Sequence, residues 1–321
     1  MNIYVDFRLP ADALDCLREA TRGHTLLFSE ALSETVLEPG GLDEGFSNAE
    51  IALGQPSPEA VAGAEALRWV HVSSSGITRY DTAAFRHLAR EKGLVVTNSA
   101  HVYHEACADH VLSFMLAQSR RLVEGLQIPR FASAEAWLQH RGSCIPLRGQ
   151  QVLIVGFGAI GERLAELLQP IGMAVRGYRR RVRGDESVEM VEEGALADAL
   201  RLADHVVNIL PDHPATRGFF DAARLSMMKA GATFYNIGRG TTVCQDALLA
   251  QFAHDPAFHA WLDVTEPEPL PADHPLWQEV RCRITPHVAG GHRGEALTLI
   301  RHFSANLRRF ERGEPLLDRV M

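Results

Sequence analysis

Short apolar runs alternate with stretches of helical spacing from the first residues onward. Residues 2–5, 25–28, 51–53, 69–72 and 94–97 are such runs, with helical patterns at 11–21 and 60–67 among them. Unbroken runs of this length suit strands covered on both faces, so the pattern predicts an alternating α/β layer. The rhythm pauses at 98–121 and resumes with strands expected at 152–155, 174–178, 206–210, 233–237, 259–262 and 283–285. Such a series implies a doubly wound sheet with right-handed crossovers, whose ligands gather beyond the carboxyl ends of the strands. In the pause, Ala106, Ala108, Val111, Leu112, Met115 and Leu116 make an apolar stripe too wide for a helix packed on one side. It is expected to link two domains and to face a partner chain. Arg120, Arg121, Arg130, Arg141 and Arg148 follow in a polar, poorly periodic stretch that reads as a solvated connection.

Residues 151–168, QVLIVGFGAIGERLAELL, carry the first chemistry. A buried strand runs into Gly156, Gly158 and Gly161, and Leu164, Leu167 and Leu168 then recur at helical spacing until Pro170 and Gly172 end the helix. Strand, glycine turn and helix in this order suit a dinucleotide. One glycine makes the turn, one lets a pyrophosphate approach bare backbone, and one packs the helix on the strand. Gly156, Gly158, Ala159, Ile160 and Gly161 are therefore the expected cofactor contacts. An NAD site needs an acidic residue about 20 positions past this turn, to accept from the ribose 2′-OH. Arg179 stands there instead, between Tyr178 and the pair Arg180 and Arg181. A 2′-phosphate suits that charge, so NADP is expected over NAD, the other reading being that Arg180 and Arg181 only solvate a loop. Earlier, Ser73, Ser74, Ser75 and Gly76 follow a strand with small side chains, as an anion-binding nest or a plain surface turn would.

Composition narrows the field. The chain has 321 residues, 46% hydrophobic and 22% charged, which is a globular composition with room for two domains. A net charge of -8 leaves no bulk basic surface for nucleic acid or an anionic membrane. The first residues do not read as a secretory leader, and no run of eighteen residues is free of charge, so a cytoplasmic protein is expected. Five scattered cysteines without a C-x-x-C pair indicate neither a disulfide framework nor a zinc site, and no metal is expected.

Four segments past the expected strands then agree with one another: Asn236-Ile237-Gly238-Arg239-Gly240; Leu262-Asp263-Val264 with Glu266-Pro267-Glu268-Pro269; Asp273-His274-Pro275-Leu276-Trp277; and Thr285-Pro286-His287. In order and spacing they closely resemble the signatures of the D-isomer-specific 2-hydroxyacid dehydrogenases. The likeness extends to Ser75-Gly76, Asn98 and Ala108-Asp109-His110. Asp109 stands where that family usually has Glu, Ala159 where it often has a basic or polar residue, and Asp212 where it usually has an apolar one. The resemblance implies a two-domain fold: a Rossmann cofactor domain and a flavodoxin-like substrate domain, both doubly wound parallel sheets, with a cleft between them. The substrate domain is expected at 1–98 and 288–321, and the cofactor domain at 99–287.

The resemblance also implies roles. His287 delivers a proton to the carbonyl of a 2-oxo acid, for which an imidazole with an ordinary pKa of about 6.5 is suited. Glu268 fixes its tautomer and favours imidazolium. Arg239 binds the carboxylate and polarises the carbonyl through paired donors. Ser75 and Gly76 present backbone N–H groups to the same carboxylate. Asp263 lies near the nicotinamide carboxamide, Leu210 and Pro211 line the adenosine side, and Ile237 touches the cofactor. The function expected is reduction of a small 2-oxo acid, glyoxylate or hydroxypyruvate, to the D-hydroxy acid by a homodimer. Formate or phosphite oxidation is a neighbouring alternative, though formate enzymes have Gln at the Glu268 position. A nucleotide-sensing corepressor of the same fold is the alternative from another class.

Overall fold

The apolar runs become strands in the computed structural model, which describes residues 1–35, 38, 40, 41, 43–128 and 133–321. Arg130 lies outside the described residues. From the start of the chain come β1 (Asn2–Phe7), α1 (Ala11–Ala20), β2 (Thr25–Ser33), β3 (Ile51–Gly54), α2 (Pro58–Gly63), β4 (Trp69–Val72), α3 (Ala83–Lys92) and β5 (Val95–Thr97). These strands form one parallel sheet in the order β2-β1-β3-β4-β5. Every residue of β3 and β4 is buried, because helices cover both faces and leave no polar side for alternation to mark.

Next comes α4 (Ala100–Ser119), then α5 (Leu122–Gln127) and α6 (Ala134–Gly142). Ala108, Val111 and Met115 of the α4 stripe are fully buried within the chain, and only Leu116 at its end is substantially exposed. The stripe is thus largely covered without a partner. Exposed apolar surface lies further on instead, at Leu122, Leu126, Trp137, Leu138 and Ile145, and neither α5 nor α6 buries a residue. Arg120, Arg141 and Arg148 are exposed, but Arg121 is not simply solvated. Its backbone is left-handed at φ 48 and its guanidinium lies 2.7 Å from Nε2 of His259. Burial, and then Arg121 itself, push His259 down to about 4. The ring is therefore neutral near pH 7, and Nε2 accepts, since a guanidinium can only donate.

The second series runs β6 (Gln151–Val155), α7 (Ala159–Leu168), β7 (Ala174–Tyr178), β8 (Glu189–Val191), α8 (Leu196–Leu202), β9 (His205–Asn208), α9 (Ala222–Ser226), β10 (Thr233–Asn236), α10 (Gln245–His254), β11 (His259–Leu262) and β12 (Cys282–Ile284). Its parallel sheet has the order β12-β11-β10-β9-β6-β7-β8. The chain runs outward from β6 to β8, then restarts at β9 on the other side of β6. The switch point between β6 and β9 is where a ligand-binding crevice is expected in such sheets. The last helix, α11 (Glu295–Glu311), buries Leu299, Ile300, Phe303 and Leu307. Phe303 and Phe310 stack on Trp69 of β4 at 5.1 and 5.4 Å between ring centroids. By its contacts the chain divides into Met1–Tyr103 with Gly291–Met321, and His104–Gly290. Among the described residues, no helix is long and apolar enough to cross a membrane.

Candidate active site

The glycine turn after β6 uses its three glycines in three ways. Gly156 has φ 94, and a Cβ there would lie 2.7 Å from the carbonyl carbon of Ile209 and 2.8 Å from the nitrogen of Leu210. Only glycine allows the strand to turn so close to the β9 loop. A Cβ on Gly158 would meet nothing within 4 Å, so bare backbone faces open space. Gly161 is a packing position, 3.1 and 3.2 Å from Phe157 and Ile154 by the same test. Gly158 is also the N-cap of α7, where no side chain takes the cap hydrogen bond. An open backbone and an uncapped ten-residue helix fit a diphosphate. Ala159 and Ile160 form the first turn, while Leu210 is buried and Pro211 exposed on the facing loop.

At the end of β7 the cationic cluster separates. Arg180 and Arg181 are exposed, whereas the side chain of Arg179 is 26% exposed and faces Glu186 at 3.6 Å. Nη1 of Arg179 is buried and makes no hydrogen bond. A cationic donor left in this state beside a dinucleotide turn fits an anionic group on the ribose.

Three adjacent strands, β10, β11 and β12, carry the other expected residues past their carboxyl ends. Gly238 and Gly240 flank Arg239 because a Cβ on either would run into backbone, 2.5 Å from the Leu210 oxygen and 1.9 Å from the Thr265 oxygen respectively. Beneath the turn is a buried polar network. Asn208 donates to Asn236 (3.0 Å) and Thr242 (2.7 Å), Thr242 donates to the Arg239 carbonyl (2.6 Å), and Gly238 N–H donates to Asn236 (3.1 Å). Ile237 is buried in the same turn. Sequence reading missed Asn208 and Thr242; the available signal was, for Asn208 alone, a polar side chain closing a buried strand.

His287 and Glu268 are brought together, with Nδ1 of the imidazole 2.7 Å from the carboxylate Oε1. Both side chains are substantially exposed, at 42% and 38%, so the pair is open to a reactant. The backbone of His287 is left-handed at φ 50, a conformation costing a non-glycine residue roughly 1–2 kcal/mol. Asp263 holds it there. This carboxylate is 2% exposed and accepts from Thr285 Oγ1 (2.6 Å), Val288 N–H (2.9 Å) and Ala289 N–H (2.8 Å). Its backbone carbonyl accepts from His287 N–H at 2.9 Å. His110 reaches the same group, 3.3 Å from Thr285 Oγ1 and 3.6 Å from Asp263. Burial pushes its imidazole below the ordinary value, against the pull of Asp263. Cys107 is buried, and burial, reinforced by the Asp263 charge and opposed by Arg239, raises its thiol to about 12.

Ser75 and Gly76 lie in the first series, past β4. There Asn98 donates to the Ser75 carbonyl and the Ser74 hydroxyl to the Gly76 carbonyl, each at 2.7 Å.

Known proteins resemble the chain along most of its length. The family model described as D-isomer specific 2-hydroxyacid dehydrogenase, NAD binding domain, matches residues 112–289. The glyoxylate reductase/hydroxypyruvate reductase of Homo sapiens is 29% identical, over 98% of this chain and 96% of that protein. The glyoxylate reductase of Aeropyrum pernix is 32% identical over 70% and 69% respectively. Among solved structures, the D-isomer specific 2-hydroxyacid dehydrogenase of Xanthobacter autotrophicus Py2, in complex with NADPH and MES, is 26% identical with a TM-score of 0.77. That superposition covers 100% of this chain and 98% of the other.

Proposed function

Because the chain belongs to the D-isomer specific 2-hydroxyacid dehydrogenase family, we propose that it reduces a small 2-oxo acid to the D-2-hydroxy acid with His287 as the proton donor. The family membership makes it an oxidoreductase using a nicotinamide dinucleotide. Glyoxylate and hydroxypyruvate are the substrates we assign, on the strength of the reductases it resembles. The observation carrying the mechanism is the hydrogen bond between His287 and Glu268 at the open end of the sheet.

The bound nicotinamide supplies the hydride. His287 keeps Nδ1–H directed to Glu268, which leaves Nε2 to hand its proton to the carbonyl oxygen; in the reverse direction the same nitrogen takes it back. Arg239, at the end of β10, two strands from β12, pairs with the substrate carboxylate and draws charge towards the carbonyl oxygen. We assign the backbone N–H groups of Ser75 and Gly76 to that carboxylate as well. The open backbone at Gly158 and the start of α7 at Ala159 and Ile160 would hold the pyrophosphate, Ile237 would pack on the cofactor, and Leu210 and Pro211 would flank the adenosine. We assign Asp263 to the side of the site that would hold the nicotinamide carboxamide. Arg179, with exposed Arg180 beside it, favours the 2′-phosphate of NADP over the hydroxyl of NAD. The exposed apolar side chains of α5 and α6 support a homodimer.

Turnover of glyoxylate, hydroxypyruvate, pyruvate and a branched 2-oxo acid, each with NADPH and NADH and with the product's chirality determined, tests this reading. D-Glycerate from hydroxypyruvate, with NADPH preferred, is the expected result. Loss of none of this activity in His287→Ala would overturn the mechanism, and an L-product would overturn the stereochemistry.

A further inference from the structure

The loop from β7 to β8 folds a carboxylate into the place where an anion is wanted. Glu186 accepts from the N–H of Arg183 at 2.7 Å through one oxygen and from the N–H of Gly184 at 2.8 Å through the other. Its Oε1 also faces Nη1 of Arg179 at 3.6 Å, and its side chain is only 2% exposed. Gly184 has φ 89, so two successive N–H groups point to one side, as in the backbone nests that bind anions. The loop is tied down close to the glycine turn. Arg183 pairs with Glu162 in the first turn of α7, and Gly156 and Phe157 both donate to the Tyr178 carbonyl, immediately before Arg179. Two N–H groups and a guanidinium around a pair of oxygens make an anion site, and Glu186 is its occupant.

We propose that Glu186 is a specificity-determining residue: its carboxylate fills the anion site at Arg179 that a ribose 2′-phosphate would otherwise take, so that the two compete. The inference rests on the assignment of Arg179 to the 2′-phosphate. A phosphate arriving at Arg179 meets a fixed negative charge and must displace it, whereas a 2′-hydroxyl brings no charge to be opposed. Glu186 thus restrains a preference that Arg179 alone would make stronger, and leaves the protein open to both cofactors. The unmade hydrogen bond of Arg179 agrees with this. At 3.6 Å the carboxylate neutralises the guanidinium without satisfying it, and a phosphate oxygen could approach closer.

Calorimetric titration with 2′,5′-ADP and with 5′-AMP tests the proposal without turnover. Glu186→Gln keeps the size of the side chain and removes its charge, and Glu186→Ala vacates the site. Both variants are expected to bind 2′,5′-ADP roughly 10-fold more tightly than the natural protein, the gain of about one charge-assisted contact. Binding of 5′-AMP should stay within about twofold, which also shows that the glycine turn remains folded. Arg179→Ala, measured alongside, keeps the two readings apart. If it weakens 2′,5′-ADP while both Glu186 variants leave affinity unchanged or lower it, Glu186 merely orients Arg179 and this proposal is overturned. If neither Arg179→Ala nor Glu186→Gln moves 2′,5′-ADP, the phosphate binds elsewhere and both readings fall.

Discussion

The two ends of the larger sheet present charge in opposite ways. At the carboxyl ends of β9, β10 and β11 the polar groups that support the exposed His287 and Glu268 are sunk into the protein and hydrogen-bonded: Asp263 to two N–H groups and a hydroxyl, Asn208 and Asn236 to one another and to the Arg239 turn. Around the loop from β7 to β8 the charged groups are mostly paired with each other, Arg183 near the surface with Glu162 and Asp185, and Arg179 with Glu186, whose side chain is only 2% exposed. Buried hydrogen bonds with backbone partners have one geometry and are costly to break, whereas exposed ion pairs contribute little individually and rearrange readily. Proton transfer needs positions fixed to within an ångström, and discrimination between a hydroxyl and a phosphate needs charge in the right neighbourhood. The reaction end is therefore built for position and the adenosine end for charge.

Removing the proposed proton donor should make the largest difference between the two ends. His287→Ala should lower kcat by roughly 10²- to 10⁴-fold, while dinucleotide affinity measured by fluorescence or calorimetry stays nearly constant. An equal loss in both would mean that the ends are not separable.

A change one step behind the reactive group should also be felt there. Asp263→Asn turns one acceptor into a donor, so at least one of the N–H groups of Val288 and Ala289 loses its partner. The variant should lose roughly 1–3 kcal/mol of stability, and kcat should fall about 10- to 100-fold as the left-handed turn at His287 relaxes. Wild-type melting temperature together with wild-type kcat would show that Asp263 does not hold the turn.

This difference also explains what the sequence let a reader see. The buried strands were legible because unbroken apolar runs have few other uses, and Gly156, Gly158 and Gly161 announced a turn whose three needs the structure separates. Arg239, Glu268 and His287 stood out through the resemblance of their segments to one family's signatures, since singly each is only a polar residue in a loop past an apolar strand. The hydrogen-bond supports were not, because Asn208 and Thr285 act through partners 28 and 34 or 22 positions away, distances that no local pattern encodes. The strand β8 escaped notice as three residues at a sheet edge, with an exposed Glu189. The helices α5 and α6 escaped because they bury no residue, so no apolar face marks their period. Glu186 was hidden for another reason: a run of arginines reads as one cationic patch until folding shows which of them already faces a carboxylate.

The smaller sheet offers a control on what burial does without a full set of partners. Asp6, in β1, accepts from Gln55 N–H at 2.8 Å through one oxygen, and its other oxygen is buried without a hydrogen bond. Burial pushes its carboxyl up to about 6 from 3.8. Below pH 4 the acid is protonated folded or unfolded, so it contributes no pH slope. Between about pH 4 and 6 the folded state retains a proton that the unfolded chain releases, so stability falls as pH rises, by on the order of 3 kcal/mol at neutral pH. Asp6→Asn should remove that slope, raising the melting temperature at pH 8 and changing it little at pH 4. An unaltered difference between the two pH values would show that Asp6 is better satisfied than its surroundings indicate.

Salt should produce the smallest effect and the sharpest contrast between the ends. In the proposed cofactor site Arg179 and Arg180 would meet a 2′-phosphate close to solvent, where the screening length shrinks from about 10 Å at 0.1 M to about 3 Å at 1 M. The KM for NADPH should rise roughly 3- to 10-fold over that range while the KM for NADH changes by less than about twofold. Binding of the 2-oxo acid at Arg239 will also weaken, but equally for both cofactors, so it cancels in their ratio. The step at His287 and Glu268 depends on contacts already made in the ternary complex, so kcat should hold steady. In Glu186→Gln the unscreened preference starts higher and should fall more steeply with salt, because the competing fixed charge is gone. A cofactor ratio indifferent to salt in both proteins would place the discrimination in shape and buried contacts, and the adenosine end would then be built on the same plan as the reaction end.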